Sequence, residues 1–341
     1  MHVQQKELLM SYPSLLGAIG NTPLVTVPLQ SEGTILAKLE YLNPGGSVKD
    51  RSAFYMVEHA EKAGILKPGG TLIDASSGNH GIALAMIGAI KGYRVIIVVS
   101  EKISKEKLQT IKAYGAEVIV CKPTEFIDDP QSYHFVAQRL AQEIPNSFMP
   151  NQYYNVVNRE AHQSLLGPEL WNQTNGTITH FFAGAGTGGT VSGVGRYLKS
   201  KNPNIKVYGI DSVNSFRSTN GHPKPYSLEG IGIDFTSEVL DYNVIDKIVT
   251  VSDSESIDAL KLLAKEFGML TGPSSGAVFA GLLKEKDTFT KDSVAVIMFS
   301  DSGRAYLSKG FYDEQGETVA PTYSNTATPE AIQFDAAATT K

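Results

Sequence analysis

The chain has 341 residues, of which 42% are hydrophobic and 19% charged, so it can bury the core of one large domain or two ordinary ones. Its net charge of −5 argues against nucleic acid or an anionic membrane as the main partner, and its longest apolar runs are too short to span a bilayer. The N-terminal segment lacks the apolar stretch of a signal peptide, and the single cysteine, Cys121, permits no internal disulfide. We therefore expect a globular, cytoplasmic protein.

The first half of the chain is predicted to alternate strands and helices. After a short helix at 14–19 and strands at 24–28 and 35–40, a helical run occupies 50–62. The next strands are predicted at 72–74, 94–99 and 117–120, and the next helices at 79–90, 105–114 and 132–143. The tract 144–158 is rich in Asn and Pro and is predicted to be irregular.

The second half repeats this alternation. Its helices are predicted at 161–173, 188–200, 254–267 and 275–284, its strands at 177–182, 205–210, 247–251 and 293–298, and a loop-rich section at 213–244. Apolar strands that alternate with helices form parallel sheets covered on both faces. We expect an α/β fold of two domains, roughly 50–157 and 160–312, followed by a disordered tail.

A lysine at the start of the first long helix is the first candidate catalytic residue. Lys49 stands in Asn43-Pro-Gly-Gly-Ser-Val-Lys-Asp-Arg51, where the glycines let a planar ligand approach the backbone and the helix start offers free N–H groups. A lysine held there can form a Schiff base when burial and nearby cations lower its pKa. Taken alone, the segment more often encodes an ordinary exposed lysine on a surface helix.

Two further stretches place polar groups where a helix begins. Ser76-Ser77-Gly78-Asn79-His80-Gly81 follows a predicted strand, so hydroxyls, an amide and free backbone N–H groups converge where an anion such as a carboxylate would bind. Gly272-Pro273-Ser274-Ser275-Gly276-Ala277 starts another helix and would direct a hydroxyl at a ring nitrogen. Both stretches are also typical of simple helix N-caps.

A glycine-rich loop, Gly184-Ala-Gly186-Thr187-Gly188-Gly189-Thr190, joins a strand to a helix. Such a loop binds a phosphate through backbone N–H groups and the threonine hydroxyls. Its glycines also satisfy G-x-G-x-x-G, and Asp211 closes the next strand about twenty residues on, as in a dinucleotide-binding fold. The dense hydroxyls and the mid-chain position favour a phosphate monoester over a nicotinamide dinucleotide, and a purely structural glycine turn is the third alternative.

In this order, the four stretches resemble those of the fold-type II pyridoxal-phosphate enzymes of the cysteine synthase and cystathionine β-synthase family. The resemblance extends from Ser14 to Tyr312 and rests on GNTPLV, GGSVKDR, S-G-N, GTGGT, E-G-I-G and S-S-G-A. It implies two open, twisted, parallel-rich sheets flanked by helices, a tryptophan synthase β-like fold. The large coenzyme-binding domain would comprise 11–45 and 158–312, the smaller mobile substrate domain 46–157, and the disordered tail 313–341.

The resemblance implies a role for each candidate residue. Lys49 would carry pyridoxal 5′-phosphate as an internal aldimine and then remove the substrate Cα proton. The other coenzyme-binding residues would be Asn79 at the ring 3-hydroxyl, Ser274 at the pyridine nitrogen, and Gly186, Thr187, Gly188, Gly189 and Thr190 at the phosphate. The substrate would be held by Ser76, Ser77, His80, Gln152, Gly230 and Asp234. A neutral serine at the ring nitrogen favours expulsion of a β-substituent, since a carboxylate there would deepen the electron sink.

The implied reaction is β-replacement on L-serine, an activated L-serine or L-cysteine through an aminoacrylate intermediate. Stretches such as 91–98 and 229–235 look closer to cystathionine β-synthase than to plain cysteine synthase, and Asp234 would orient or deprotonate the nucleophile. The loop that ends at His80 departs from the family's usual T-S-G-N-T, which leaves the donor and the nucleophile open. The alternatives are a diaminopropionate-precursor synthase that uses an amine, a cysteine-to-serine lyase that releases sulfide, and a dehydratase-like β-elimination.

Two other classes of protein remain alternatives: a nicotinamide-dependent dehydrogenase, from the glycine loop alone, and a binding protein that has lost turnover. The histidines show no metal-ligand spacing, so no metal is expected. The short N-terminal segment does not match the haem-binding extension of animal cystathionine β-synthases, and the C-terminal segment has no room for their regulatory domain. No haem and constitutive activity are therefore expected. The resemblance also implies a homodimer that acts on small amino acids.

Overall fold

The computed structural model describes residues 11–76, 78–124 and 129–313, in which ten strands and nine α-helices form two covered sheets. The strands are β1 Leu24–Thr26, β2 Thr34–Leu39, β3 Thr71–Ala75, β4 Arg94–Ser100, β5 Glu117–Cys121, β6 Ser147–Phe148, β7 His180–Gly184, β8 Lys206–Ser212, β9 Lys247–Val251 and β10 Val294–Phe299. The helices are α1 Lys49–Lys62, α2 Asn79–Lys91, α3 Lys105–Ala113, α4 Tyr133–Glu143, α5 Val157–Ala161, α6 Gly167–Gln173, α7 Gly189–Lys201, α8 Asp253–Phe267 and α9 Pro273–Glu285.

The larger sheet has the strand order β1-β2-β10-β7-β8-β9, and every pair is parallel except the edge pair of β1 with β2. Side chains of neighbouring residues alternate between its two faces. Phe182 packs toward α8 and α9 in a core that includes Phe279, whereas Phe181 packs toward α6 and α7 in a core that includes Val194. Helices therefore cover both faces, as a parallel sheet requires.

The smaller sheet has the order β5-β4-β3-β6, and all its pairs are parallel. Ile97 of β4 belongs to the core beneath α1, α2 and α3, where it meets Ile111. The neighbouring Ile96 belongs to the opposite core, where it meets Ala137 of α4. This sheet is also covered on both sides.

The predicted α/β class with two parallel-rich sheets is confirmed. The strands of the larger sheet come from 24–39 and 180–299, and those of the smaller sheet from 71–148. The domain boundaries and the mobility of the smaller domain stay predictions. The predicted disordered tail lies, from residue 314 onward, outside the described residues. Within the described ranges, no helix combines the length and the apolar character needed to cross a membrane.

One predicted boundary is wrong. The tract 144–158 contains β6 and the start of α5, and the chain continues through a π-helical turn, His162–Leu166, into α6. A π turn carries more residues per turn than an α-helix, so a 3.6-residue pattern does not reveal it. Gly193 of α7 lies against the start of this turn, where a Cβ would overlap the carbonyl oxygen of Arg159.

Candidate active site

The predicted functional stretches lie together at the carboxyl ends of parallel strands. Lys49 begins α1 beside the end of β10, since Ser47 forms a β-bridge with Asp301 two residues beyond that strand. Ser76 follows β3, and the glycine loop follows β7. The carboxyl ends of the strands are where open parallel α/β sheets bind their ligands.

Lys49 occupies the first position of α1. Burial lowers the pKa of its amine, the carboxylate of Asp301 raises it, and the ammonium of Lys107 lowers it again. The next residue, Asp50, accepts the N–H of Gly45 at 2.6 Å and so braces the loop before the helix. The amine of Lys49 therefore holds its proton less firmly than that of an exposed lysine, as a Schiff-base lysine requires.

Asn79 begins α2, and its amide nitrogen donates to Oδ2 of Asp301 at 2.6 Å. Asp301 is 1% exposed and also accepts the hydroxyl of Tyr306. The ammonium of Lys107 donates to the Tyr306 hydroxyl at 2.9 Å and to Glu229 at 2.7 Å. Sequence reasoning missed this cluster. The signal available for Asp301 was its position directly beyond an apolar parallel strand.

The glycine loop forms an anion cradle between β7 and α7. Gly188 has a φ of +89°, in the left-handed region, and a Cβ on Gly186 would lie 2.7 Å from the carbonyl oxygen of Gly230. The Thr187 hydroxyl accepts the N–H of Gly189 at 3.3 Å. The loop ends at the N-terminus of α7, whose unpaired N–H groups favour an anion. Both packing and ligand approach thus require glycine here.

Two residues that sequence reasoning missed hold the threonines of this loop. The Asn158 amide donates to Oγ1 of Thr187 at 3.3 Å and to the carbonyl of Gln152 at 2.7 Å. His162 stands on the π-helical turn, with its Nε2 3.3 Å from Oγ1 of Thr190. Burial lowers the pKa of His162 well below its usual value, and the nearby cations Lys49 and Arg51 lower it further, so the ring is neutral. Single π turns often mark functional sites, but no sequence pattern indicated this one.

Ser274 lies in the first turn of α9, directly after Pro273, and is 3% exposed. Gly230 packs against it, because a Cβ on Gly230 would lie 3.0 Å from the Cβ of Ser274. The carbonyl of Gly230 also backs Gly186, so one backbone segment joins Ser274 to the glycine loop. The predicted coenzyme residues are thus neighbours, and their individual roles stay predictions.

The first predicted substrate-binding residues surround the start of α2. The hydroxyl of Ser76 is buried and accepts the N–H groups of Gly78 at 3.1 Å and Gly81 at 3.0 Å. Ser76 therefore caps the helix, and its own hydroxyl hydrogen remains available to an anion. Ser77 lies outside the described residues.

The other predicted substrate residues have different surroundings. His80 points into the protein: its Nδ1 lies 2.8 Å from Oδ2 of buried Asp74, and its buried Nε2 has no partner in the described part of the chain. Gln152 is 3% exposed, whereas Asp234 is exposed and accepts the hydroxyl of Tyr226. These contacts do not test the substrate roles, which stay predictions.

In a dinucleotide-binding fold, the acidic residue at the end of β8, here Asp211, would need a free carboxylate in order to bind a ribose hydroxyl. It is buried and accepts bonds from Ser215 at 2.6 Å, Ser218 at 3.1 Å and Arg217 at 3.2 Å. Arg217 also donates to the carbonyl of Ala185 in the glycine loop. Because these internal partners occupy the carboxylate, the geometry disfavours the nicotinamide interpretation.

A metal centre was expected to be absent. Across 11–76, 78–124 and 129–313, no three or more His, Cys, Asp or Glu side chains are grouped so as to hold a metal ion. The metal-free site stays a prediction.

Comparison with known proteins decides the family. A family model described as "Pyridoxal-phosphate dependent enzyme" matches residues 15–301. The chain belongs to this family. It is 45% identical to the cystathionine beta-synthase of Apis mellifera over 307 residues, which cover 87% of this chain and 61% of the relative. It is 38% identical to cysteine synthase B of Pseudomonas aeruginosa over 307 residues, which cover 89% and 99%.

Solved structures are similar over nearly the whole fold. The O-acetylserine dependent cystathionine beta-synthase from Helicobacter pylori has a TM-score of 0.83 and 39% identity, with 89% of this chain and 100% of that one covered. A hydrogen sulfide-producing enzyme from Fusobacterium nucleatum has a TM-score of 0.83 and 35% identity, with 87% and 100% covered. The predicted family, enzyme class and coenzyme are confirmed. The match spans only about three fifths of the Apis mellifera protein, 61% of its length.

The residues at the carboxyl ends of these strands fit pyridoxal phosphate. The amine of Lys49 suits its aldehyde, and the cradle at the start of α7 suits one phosphate monoester. Cβ atoms at Gly186 or Gly188 would strike the Gly230 backbone or Leu240, so the cradle depends on their absence. The amide nitrogen of Asn79, which carries two hydrogens, donates to Asp301, and the Asn79 side chain also has a hydrogen-bond contact with the Tyr306 hydroxyl.

Proposed function

We propose that the protein catalyses β-replacement on L-serine, an activated L-serine or L-cysteine, with pyridoxal phosphate as its coenzyme. The convergence of Lys49, Asn79, the glycine loop and Ser274 near the carboxyl ends of strands from both sheets carries this proposal. Similarity to cystathionine beta-synthases and to a cysteine synthase supports the reaction type. Two half-reactions share the site: a β-substituent leaves, and a nucleophile then takes its place.

Pyridoxal phosphate, when bound, supplies an electron-accepting ring that stabilises negative charge at the substrate Cα. Lys49 would hold the coenzyme through its amine and later take the Cα proton on Nζ, since its lowered pKa leaves more of the amine unprotonated and able to accept a proton. The N–H groups of the glycine loop and the hydroxyls of Thr187 and Thr190 would bind the phosphate. Asn79 would donate an N–H to the ring hydroxyl, and Ser274 would offer a neutral hydroxyl to the ring nitrogen.

The substrate carboxylate would bind at the N-terminus of α2. Backbone N–H groups there face an anion, and Ser76 has a hydroxyl hydrogen to donate. Ser77 and Gln152 would complete this contact, and Gly230 would lie beside it. Asp234, exposed near Tyr226, would orient or deprotonate the nucleophile. His80, whose Nδ1 is paired with buried Asp74, would lie beside this contact.

A second candidate is release of sulfide from L-cysteine, with water as the nucleophile. The likeness to the Fusobacterium nucleatum enzyme, which is named for hydrogen sulfide production, favours it. The exposed carboxylate of Asp234 also favours it, since a carboxylate can activate water. Sulfide release from L-cysteine alone, with L-serine as product, would distinguish this reaction from replacement by homocysteine.

An absorbance spectrum of the purified protein tests the coenzyme role. We expect a visible band of lysine-bound coenzyme that is lost in Lys49→Ala and kept in Lys62→Ala, a control lysine at the exposed end of the same helix. L-Serine, O-acetyl-L-serine, O-phospho-L-serine and L-cysteine are then added in turn, and the donor that changes the spectrum identifies the first half-reaction. A Lys49→Ala variant with unaltered spectrum and turnover would refute the proposal.

We also propose that the protein acts as a homodimer in the cytoplasm, with small-molecule amino acids among its substrates. The family resemblance supports the dimer, and the lone, partly buried thiol of Cys121 suits a reducing compartment. The net charge of −5 gives no electrostatic reason for binding nucleic acid or an anionic membrane. Analytical ultracentrifugation would give the oligomeric state.

A further inference from the structure

Asp301 is a buried carboxylate that the proposed mechanism does not use. It is 1% exposed, and its Oδ1 has no hydrogen-bond partner among the described residues. A Cβ on Gly272 would overlap that oxygen, so the backbone beside it leaves room for the carboxylate and nothing more. A buried charge with an unbonded oxygen destabilises a fold, and a neutral side chain would cost less. Stability alone therefore does not account for this residue.

The other oxygen, Oδ2, controls a neighbouring side chain. It accepts the Asn79 amide nitrogen at 2.6 Å and the Tyr306 hydroxyl. A carboxylate only accepts hydrogen bonds, so the nitrogen of the Asn79 amide, and not its oxygen, must face Asp301. This contact joins residues 222 positions apart and sets which end of the amide faces each neighbour. Without it, the Tyr306 hydroxyl would remain as a hydrogen-bond neighbour of the amide, and a hydroxyl, which both donates and accepts, does not set which end of the amide faces it.

Asp301 also supplies negative charge beside two lysines. The titratable groups that face it are Lys49 from α1, Lys107 from α3, Glu229 from the loop before Gly230, Tyr306 from the C-terminal turn Gly303–Lys309, and Tyr312 just after that turn. Burial raises the pKa of Asp301, and Lys107 lowers it. Asp301 in turn raises the pKa of the Lys49 amine and so limits the effect of burial on that amine. Its charge thereby adjusts how readily Lys49 releases and accepts a proton.

We propose that Asp301 is a positioning residue of the active site, which orients the Asn79 amide through Oδ2 and places a negative charge beside Lys49. The inference rests on the proposed function, because the oriented N–H serves the coenzyme's ring hydroxyl. Asp301 touches neither coenzyme nor substrate in this proposal. It acts through Asn79 and Lys49.

Two substitutions separate the two roles. Asp301→Asn keeps an acceptor at the position of Oδ2 but removes the charge, whereas Asp301→Leu removes both on a larger side chain that branches in the same way. In the loaded protein we expect Asp301→Leu to change the ratio of the two visible and near-ultraviolet bands of the bound coenzyme, which report where the ring-hydroxyl proton lies. Asp301→Asn should restore the wild-type ratio, a rescue that a merely structural role would not produce.

The charge is tested in the coenzyme-free full chain, after thermal unfolding has confirmed that each variant is folded. Lys49 is acetylated over a range of pH, and its labelling is followed by peptide mass spectrometry. Removal of a nearby negative charge lowers a lysine pKa by about 1–3 units. Both variants should therefore label Lys49 faster at pH 8, by about tenfold for each unit. Lys62, at the other end of α1, is the internal reference.

The outcomes are distinct. Folded variants with the wild-type band ratio and the wild-type Lys49 titration would overturn the inference and leave Asp301 a structural residue. If Asp301→Leu does not fold, the side-chain amide of Asn79 in the wild type decides by NMR: one protected, shifted hydrogen supports the bond, and two freely exchanging hydrogens contradict it. If the wild type binds no coenzyme, the proposed function fails, and the Lys49 labelling still measures the charge effect.

Discussion

Asp50 shows how a single buried residue makes stability depend on pH. Its Oδ2 is bonded to the N–H of Gly45, but its Oδ1 is buried without a partner in the described structure. Burial raises the pKa of Asp50 to about 7. A carboxyl with a raised pKa stabilises the fold below its unfolded value of 3.8, and this contribution is lost as the pH rises through 7.

We therefore predict that Asp50→Asn stabilises the protein at pH 8 and has much less effect at pH 5. The amide keeps an acceptor for Gly45 and removes the buried charge, whose cost is on the order of 4 kcal/mol at full ionisation. Thermal unfolding at the two pH values measures the difference. Asp258→Asn, an exposed change on α8, is the control and should be neutral at both. An equal effect of Asp50→Asn at pH 5 and pH 8 would contradict this account.

The sequence predicts some site residues and not others for a physical reason. Lys49, Asn79 and the glycine loop each sit in a local pattern, a strand end followed by a helix start, which neighbouring residues encode. Asp301 and His162 act through partners that are distant in sequence: Asp301 meets Asn79 across 222 positions, and His162 meets Thr190 across 28. No local pattern records such contacts, because they exist only after the sheets have formed.

At the scale of elements, the π-helical turn depends on its packing against α7. Gly193 of α7 faces the turn, and a Cβ there would overlap the carbonyl of Arg159 and lie 2.7 Å from the Cβ of His162. Gly195, two positions further and on another face, has the side chains of Val244 and Val207 nearest to it, at 3.2 and 3.3 Å. The two glycines occupy one helix but differ in the space around them.

Gly193→Ala should therefore destabilise the protein and weaken coenzyme binding, while Gly195→Ala should be nearly neutral. Overpacking costs about 1–3 kcal/mol, and it would push His162 away from Thr190 in the phosphate cradle. At Gly195 the gain in helix propensity, about 1 kcal/mol, offsets a mild contact. Thermal unfolding and coenzyme titration measure both effects. Equal melting temperatures and equal coenzyme affinities for the two variants would show that the turn does not depend on this contact.

The order of the elements was predictable, but the π turn was not. Strands such as β4 and β10 are apolar on both faces and bounded by polar residues, so their type follows from composition. The π turn is imposed by close approach of α7 where Gly193 permits it, and nothing in residues 157–173 themselves requires it. The unusual geometry of this π turn brings His162 to the phosphate cradle.

At the scale of the molecule, several contacts join the smaller sheet and its helices to the larger sheet, and two of them lie outside the Asp301 cluster. In the first, the start of α3 meets the C-terminal turn: Ser104 donates to the carbonyl of Ala305 at 2.7 Å, and Glu106 accepts the N–H of Ser308 at 2.8 Å. In the second, His134 of α4 packs edge-on against Phe235. The candidate active site lies between elements of both sheets, so these contacts help to hold its two sides together.

His134 makes the second contact sensitive to acid. Its ring centroid lies 5.4 Å from that of Tyr153 and 5.6 Å from that of Phe235, and its Nε2 is buried without a partner in the described chain. Burial lowers the pKa of His134 to about 4. A histidine with a lowered pKa stabilises the fold above its unfolded value of 6.5, and this stability is lost as the pH falls toward 4. The loss amounts to about 3 kcal/mol.

We predict that acid loosens this contact in the wild type and not in His134→Phe, whose ring packs similarly but cannot be protonated. Hydrogen exchange of the segments around His134 and Phe235 is measured at pH 4.5 and pH 7, each corrected for the intrinsic exchange rate. Protection in the wild type should fall at pH 4.5 relative to His134→Phe, whereas the two proteins should match at pH 7. The first contact, between α3 and the C-terminal turn, serves as the internal control, since His134 does not touch it. Equal protection of the wild type and the variant at both pH values would mean that protonation of His134 does not govern how the two sheets hold together.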